Sequence, residues 1–204
     1  MIALVDYGLG NISAFANIYR RLGIEVCSAR TAADLRRSSR IILPGVGAFD
    51  WAMIRLKESG LRKALDEEVL EAKKPVLGVC VGMQMMARCS AEGKLGGLGW
   101  IDASVVKIDT RLLGTTTHLP HMGWNDADPI DKNTLFSGLD NPRFYFLHSY
   151  YIKTDRKENI LATSDYGLTF TSAVRAGNVY GTQFHPEKSH GWGVRLLKNF
   201  AELT

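Results

Sequence analysis

Apolar residues in the first 80 positions follow two alternating spacings. Short aliphatic runs predict strands at residues 2–5, from residue 24, at 41–43 and at 76–79. Apolar residues three or four positions apart predict helices over residues 12–22, 31–38 and 51–72. Asn11 is placed to cap the first helix, Gly23 to end it, and Gly60 to break the last one. Strand and helix in alternation are typical of a parallel sheet with right-handed crossovers.

The pattern changes in the second half of the chain. Closely spaced strand-like segments follow one another at residues 100–108, 144–152, 160–163, 168–174 and 179–184. A terminal amphipathic helix is predicted over about residues 193–203. We therefore expect an α/β fold, with a mostly parallel central sheet flanked by helices and an antiparallel β extension. A length of 204 residues with 46% hydrophobic residues suits one domain over residues 1–204.

Charge and cysteine content argue against several classes of protein. The net charge is +4, but the basic residues are scattered among acidic ones, so we expect no nucleic-acid binding. The cysteines are Cys27, Cys80 and Cys89, an odd number without metal-ligand spacing, which favours a reducing cytoplasm and no metal site. The apolar stretch at residues 1–6 is short for export or for a membrane span. No phosphate-binding or dinucleotide motif is present, so we predict no cofactor.

Three glycine-rich or reactive segments come directly after predicted strands. They are residues 6–8, residues 44–47 and Cys80. Parallel sheets bind their ligands beyond the carboxyl ends of the strands. The sequence thus predicts that these segments converge on one site.

Cys80 lies in the sequence Gly-Val-Cys-Val-Gly at residues 78–82, which has the spacing of a nucleophile elbow. Glycines on both sides permit a sharp turn from strand to helix, and a helix N-terminus favours a thiolate. The alternative is a cysteine that only packs in the core, which is how we interpret Cys27 and Cys89.

His185 and Glu187 are two positions apart, so on an extended strand end their side chains would point the same way. Glu187 would then hold one imidazole nitrogen while the other faces the thiol, and together with Cys80 this predicts a nucleophile, a base and an orienting carboxylate. A surface turn is the alternative for residues 185–187 alone. The Pro-Gly-Val-Gly segment at residues 44–47 is either an oxyanion-binding loop or a plain tight turn. His121 and His148 are expected in separate loops, without metal-site companions.

These motifs together resemble the class I (triad) glutamine amidotransferases, whose fold is flavodoxin-like. Residues 44–47, 78–84 and 184–189 carry that resemblance. Residues 6–11, 120–125 and 146–150 are similar to the glutaminase subunits of imidazole glycerol phosphate synthases. The resemblance covers nearly the whole chain.

The resemblance implies that Cys80 attacks the side-chain amide of glutamine, His185 shuttles the proton and Glu187 holds the imidazole. The positions that correspond to the oxyanion site are Gly45, Val46, Gly47 and Val81. Those that correspond to glutamine contacts are Gln84, Glu92, His148, Ser149 and Tyr150. Those near the family's subunit interface are Asn11, Met122, Trp124 and Lys188.

By the same resemblance, the substrate is L-glutamine and the partner is a (β/α)8-barrel synthase that receives ammonia through a channel. The barrel would use ammonia on a ribonucleotide to make imidazole glycerol phosphate and AICAR in histidine biosynthesis. One alternative is ammonia supply for amidation of a surface-polysaccharide sugar, since residues 115–118 lack the basic residue that relatives often carry. Others are a stand-alone γ-glutamyl hydrolase, against which size and residues 120–125 argue, and a non-enzymatic regulatory protein of the same fold, against which the triad argues.

Overall fold

An eight-stranded mixed sheet forms the centre of the computed structural model, which describes residues 1–113 and 118–203. The described strands are β1 Ile2–Val5, β2 Val26–Ala29, β3 Arg40–Gly45, β4 Val76–Cys80, β5 Cys89–Ser90, β6 Ala103–Lys107, β7 His121–Asp126, β8 Asp128–Pro129, β9 Arg143–His148, β10 Tyr150–Thr154, β11 Ile160–Asp165, β12 Thr169–Ala176 and β13 Val179–Thr182. The described α-helices are α1 Ile12–Arg21, α2 Ala32–Arg37, α3 Phe49–Glu58, α4 Arg62–Asp66, α5 Val81–Met85 and α6 His190–Glu202.

The order of strands in the central sheet confirms the predicted α/β architecture. It runs β2-β1-β3-β4-β13-β12-β11-β8, and the pairs from β2 to β13 are parallel. Strand β13 joins the two halves, because it is parallel to β4 and antiparallel to β12. A three-stranded sheet, β10-β6-β5, and a two-stranded ribbon, β7-β9, lie outside the central sheet. Within the described residues, no helix has the length and apolar character needed to cross a membrane.

The first half of the chain follows the sequence prediction closely. The side chain of Asn11 caps α1 by accepting a hydrogen bond from the backbone of Ala14. Helix α3 ends just before Gly60, and α4 continues into a π-helical turn over Glu67–Glu71. Strand β2 begins later than predicted, because the backbone N–H of Ile24 still donates to α1.

Two predictions about the second half are wrong. Residues 144–152 form two strands in different sheets, because the chain turns at Ser149 between β9 and β10. His121 and His148 do not lie in separate loops. They are opposite one another on the antiparallel strands β7 and β9. Of the segment at residues 115–118, positions 115–117 lie outside the described residues.

The predicted convergence at the carboxyl edge of the parallel strands is confirmed. The hydroxyl of Tyr7 donates to the carbonyl of Pro44 at 2.7 Å, which ties the end of β1 to the end of β3. Gly45 is the register partner of Cys80 across β3 and β4. The loops that carry candidate chemistry are therefore adjacent.

Candidate active site

Cys80 occupies a sharp elbow between β4 and α5. Its φ of +55° and ψ of −116° are values that a residue with a side chain rarely adopts, and such strain is concentrated at functional sites. The elbow packs directly on the neighbouring strand. A Cβ on Gly82 would overlap the carbonyl oxygen of Leu43, and a Cβ on Gly45 would overlap the backbone nitrogen of Gly82. Glycine at these two positions lets the backbone of the elbow touch the backbone of β3.

His185 and Glu187 form a buried pair beside Cys80. His185 Nδ1 lies 2.8 Å from Glu187 Oε1, and both side chains are almost fully buried. Burial disfavours the charged imidazolium, but the hydrogen bonds and negative charges of Cys80 and Glu187 outweigh it and raise the pKa of His185 to about 10. The raised pKa keeps His185 protonated at neutral pH, so an imidazolium lies beside the Cys80 sulfur atom.

The reason given for that proximity in the sequence interpretation is wrong. Strand β13 ends at Thr182, and residues 186–188 form a 3-10 turn rather than an extended strand end. The backbone N–H of His185 donates to the carbonyl of Tyr145 at 2.9 Å, and Ser189 Oγ donates to the carbonyl of His185 at 2.6 Å. These bonds anchor the base, and the turn brings Glu187 back onto Nδ1.

Gln183 is a neighbour of the sulfur atom that sequence reasoning missed. Its Nε2 lies 3.7 Å from Cys80 Sγ, and its side chain is fully buried. An amide donor at this place stabilises negative charge on sulfur. The available signal was a polar residue in the apolar run 179–184, two positions before His185.

A pocket of about 160 Å³ opens above Cys80. That volume is below the range of pockets that hold drug-sized ligands, so it suits a smaller molecule. Cys80 and His185 line it together with Val46, Gly47, Val81, Gln84, Glu92, His148, Ser149 and Tyr150. The structure thus brings the proposed nucleophile, the proposed base and all the proposed glutamine contacts to one cavity.

Glu92 is held close to the Pro-Gly-Val-Gly segment. Its Oε2 accepts a hydrogen bond of 2.9 Å from the backbone N–H of Phe49, at the start of α3. The following loop is tied to the same helix, because the Asp50 carboxylate accepts from the backbone N–H groups of Lys94 and Leu95. A carboxylate fixed at the pocket rim is suited to binding an ammonium group.

Tyr7 is a second residue that sequence reasoning did not assign to the site. Its buried hydroxyl donates to Pro44, the residue before the three positions proposed to bind an oxyanion. Burial, and then the negative charge of Cys80, raise the pKa of Tyr7, so the hydroxyl keeps its proton. This bond fixes one end of the segment, while Gly47, with φ of +85°, turns the other end.

The two histidines on β7 and β9 have pKa values far below that of His185. Burial lowers the pKa of His121 to about 4. Burial, and then the positive charge of neighbouring histidines, lower the pKa of His148 to about 3. Both rings are therefore neutral at pH 7.

Three of the four residues proposed for the subunit interface lie together beside the pocket. Met122 and Trp124 are 64% and 39% exposed on the outer face of the β7-β9 ribbon. The Trp124 ring stacks on His190 with centroids 5.2 Å apart. Lys188, which also lines the pocket, lies over the ring of Tyr145. Asn11 is placed differently, at the start of α1, and its side chain caps that helix.

A comparison with known sequences gives matches over the full length. The family model for glutamine amidotransferase class-I matches residues 3–203. The imidazole glycerol phosphate synthase subunit HisH of Bdellovibrio bacteriovorus is 54% identical, with 100% of both chains covered. The protein of the same name from Leptospira borgpetersenii is 48% identical, and HisH 2 of Pseudomonas aeruginosa is 45% identical, again with 100% coverage of both chains.

Solved structures share the fold at low sequence identity. A glutamine amidotransferase superposes with a TM-score of 0.77 and 21% identity, covering 98% of this chain and 97% of that one. A second glutamine amidotransferase, from Thermotoga maritima, gives a TM-score of 0.63 and 20% identity, with 98% and 82% covered. At these identities the likeness concerns the fold.

Proposed function

This chain belongs to the class-I glutamine amidotransferases, and on that premise we propose that it is the glutaminase subunit of an imidazole glycerol phosphate synthase. It hydrolyses L-glutamine to glutamate and ammonia for histidine biosynthesis. The assignment of residues rests on one observation: Cys80 and His185 line one pocket of amino-acid size, and Glu187 Oε1 lies 2.8 Å from His185 Nδ1.

In the proposed reaction, the Cys80 thiolate attacks the side-chain amide carbon of glutamine. The developing oxyanion is held by backbone N–H groups of residues 45–47 and of Val81. His185 gives its proton to the amide nitrogen, so the C–N bond breaks, ammonia leaves and a glutamyl thioester remains on Cys80. His185 then takes a proton from water, which attacks the thioester and releases glutamate. Glu187 holds Nδ1 throughout and stabilises the imidazolium.

The rest of the pocket suits the ends of free glutamine. We assign Glu92 to the α-ammonium group, because its carboxylate is held at the rim by Phe49. Ser149 and Tyr150 line the pocket where the chain turns from β9 to β10. Gln84 lies between them and the elbow, and its Nε2 donates to the carbonyl of Tyr150.

The chain acts in a complex with a second subunit, as the names of its relatives imply. We propose that the partner is a (β/α)8-barrel synthase and that it docks on the outer face of the β7-β9 ribbon. Met122, Trp124 and Leu147 expose apolar surface there, and Leu147 also lines the pocket. An apolar face beside the pocket mouth suits a partner that receives ammonia directly. Lys188 lies at the same edge, and Asn11 would contact the partner from the start of α1.

We further propose that residues 1–204 act as one domain in the cytoplasm. The described sheets and helices share one hydrophobic core, and Cys27 and Cys89 are free thiols at partly buried and exposed positions. The names of the relatives favour the histidine pathway over ammonia supply to a polysaccharide sugar.

The first test is the rate of glutamine hydrolysis by the purified chain, alone and with the barrel partner plus its ribonucleotide substrate. We expect slow hydrolysis alone and strong activation in the complex. Fast hydrolysis that is indifferent to the partner would instead indicate a stand-alone hydrolase.

The second test is Cys80→Ala in the complex. Loss of the nucleophile should lower glutamine-dependent turnover on the order of 10⁵-fold, while synthesis from added ammonia continues. Cys89→Ala is the matched control, because this thiol is exposed and lies outside the pocket, and it should behave like the wild type. Glutaminase activity retained by Cys80→Ala would refute the assignment of the nucleophile.

A further inference from the structure

A chain of hydrogen bonds runs from the β7-β9 ribbon to the back of the pocket. His148 Nδ1 lies 2.9 Å from the carbonyl oxygen of Tyr150, and His148 Nε2 lies 3.0 Å from His121 Nδ1. Asn125 Nδ2 lies 3.3 Å from His121 Nε2. These contacts use both nitrogens of both rings.

The direction of each bond is determined from the two ends of the chain. A carbonyl oxygen only accepts, so His148 Nδ1 carries a hydrogen toward Tyr150. At the other end, the Asn125 amide is oriented by backbone groups, since its Oδ1 accepts from the N–H of Asp126 and its Nδ2 donates to the carbonyl of Asp165. Nδ2 is thus a donor toward His121. The arrangement is consistent only if both rings are neutral and both carry their hydrogen on Nδ1.

The rings have little freedom to turn. His121 is stacked between Phe146 and Tyr166, with centroid distances of 4.7 Å and 3.9 Å and interplanar angles of 20° and 24°. Both His121 and His148 are buried, so a lost hydrogen bond here is not replaced by water. The hydrogen on His121 Nδ1 therefore keeps His148 Nε2 an acceptor, which is the form that the Tyr150 carbonyl also requires.

The same carbonyl connects this chain to the nucleophile. Tyr150 O also accepts from Gln84 Nε2 at 3.0 Å, and Gln84 Nε2 donates to Gln183 Oε1 at 3.0 Å. Gln183 Nε2 in turn lies 3.7 Å from Cys80 Sγ. Hydrogen bonds thus continue from Asn125, on the ribbon, to the sulfur atom.

We propose that His121 is a positioning residue for the glutaminase reaction. Its Nδ1–H keeps His148 in the Nδ1–H form, and His148 then holds the Tyr150 carbonyl against Gln84, so that the pocket wall at residues 148–150 keeps its shape for glutamine. The inference rests on the proposed function, because it assigns a role within the same site. His121 itself does not line the pocket.

The kinetic test compares two substitutions in the complex. His121→Phe keeps the stacked ring and removes the donor, and it should lower kcat/KM for glutamine about tenfold, mainly through KM. His121→Asn places an amide nitrogen near the position of Nδ1 and should recover most of that loss. Synthesis from added ammonia should be unchanged in both. Wild-type KM in His121→Phe, or equal losses in Phe and Asn, would overturn the proposal.

A matched control removes a different hydrogen bond near His121 and keeps both the ring stack and the His121 donor. Tyr166→Phe keeps the ring that packs on His121 and removes only a hydroxyl that donates to the carbonyl of His118. We expect wild-type kcat/KM for this variant. A tenfold loss here would mean that removing any nearby hydrogen bond disturbs the site, and it would overturn the proposal.

A spectroscopic test does not depend on activity. In ¹⁵N-histidine-labelled wild-type protein, the rings of His121 and His148 should both be neutral Nδ1–H forms, and in His121→Phe the His148 ring should lose that pure signature. An Nε2–H form at either ring in the wild type would refute the proposal. If the wild type hydrolyses no glutamine with its partner, the proposed function fails, and this measurement still decides the arrangement of the two rings.

Discussion

The two sides of the pocket above Cys80 hold histidines in opposite charge states. On one side, His185 is buried but stands between Cys80 and Glu187, and its pKa rises to about 10. On the other side, His148 is buried against His121 and a carbonyl group, and its pKa falls to about 3. Burial alone therefore does not decide the charge of an imidazole. The charges of its hydrogen-bond partners do.

We therefore expect the side with His185 to take part in proton transfer and the side with His148 and His121 to keep the shape of the pocket. A group that donates a proton, the role proposed for His185, must be charged before it acts, and Cys80 and Glu187 both raise the pKa of His185. The wall proposed to bind glutamine must not change its charge. The rings of His121 and His148 meet this need, because carbonyl and amide groups satisfy their hydrogen bonds while both rings stay neutral.

The largest effect is expected from Glu187→Gln, which removes the negative charge beside His185. The amide still accepts from Nδ1 but no longer stabilises the imidazolium, so kcat with glutamine should fall about 10²–10⁴-fold. The melting temperature should change little, because Glu187 contacts His185 rather than the core. The measurements are steady-state glutaminase kinetics in the complex and thermal unfolding. An unfolded or strongly destabilised Glu187→Gln would contradict this, and ammonia-driven synthesis is the internal control.

Acid should lower the contribution of His121 and His148 to the stability of the folded protein. His121 and His148 have folded pKa values below the ordinary 6.5, so their contribution is complete above pH 6.5 and is lost as the pH falls toward about 4 and 3. The loss amounts to at most about 1.4 kcal/mol per pH unit for each ring. His185 has the opposite sign: its contribution is complete below pH 6.5 and is lost as the pH rises through about 10.

Urea unfolding of the wild type and of His121→Phe between pH 4 and 7 measures the acid effect. The difference between their slopes isolates the ring of His121 from the carboxylates that titrate in both. Parallel stability curves would show that His121 takes up a proton as readily when folded as when unfolded.

A smaller effect is expected from Tyr7→Phe, which removes the hydroxyl that holds Pro44 before the oxyanion segment. It should reduce stability by about 1 kcal/mol and kcat a few-fold. Tyr19→Phe is the matched control, because that buried hydroxyl donates to the carbonyl of Leu197, away from the pocket. The control should lose similar stability and no activity. Equal kcat values for the two variants would mean that Tyr7 supports only the fold.

Short sequence motifs were enough to predict that Cys80, His185 and Glu187 come together. The spacing of Gly78, Cys80 and Gly82 and the pair His185 and Glu187 are short motifs whose chemistry is visible in sequence. Alternating apolar runs also indicated the parallel strands, because buried strands need them. The mechanism that brings Glu187 to His185 was not visible, since a turn at Pro186 replaces the expected strand.

The pairing of His121 with His148 could not be predicted, because it depends on a contact between residues far apart in sequence. His121 and His148 meet because β7 pairs with β9 across 27 positions, and no local period encodes that register. The roles of Gln183 and Tyr7 arose in the same way, from partners 103 and 37 positions away. Single residues of this kind are found only when the sheet order is known.

The hydrogen bond between His185 and Tyr145 has a consequence for damaged molecules. Tyr145 belongs to β9, so the strand that supports the proposed docking face also anchors the backbone of His185, the proposed base. A copy whose ribbon has been cut by a protease or has frayed loses the support of its base at the same time. In such a copy, loss of the ribbon and loss of the proposed base would be a single event.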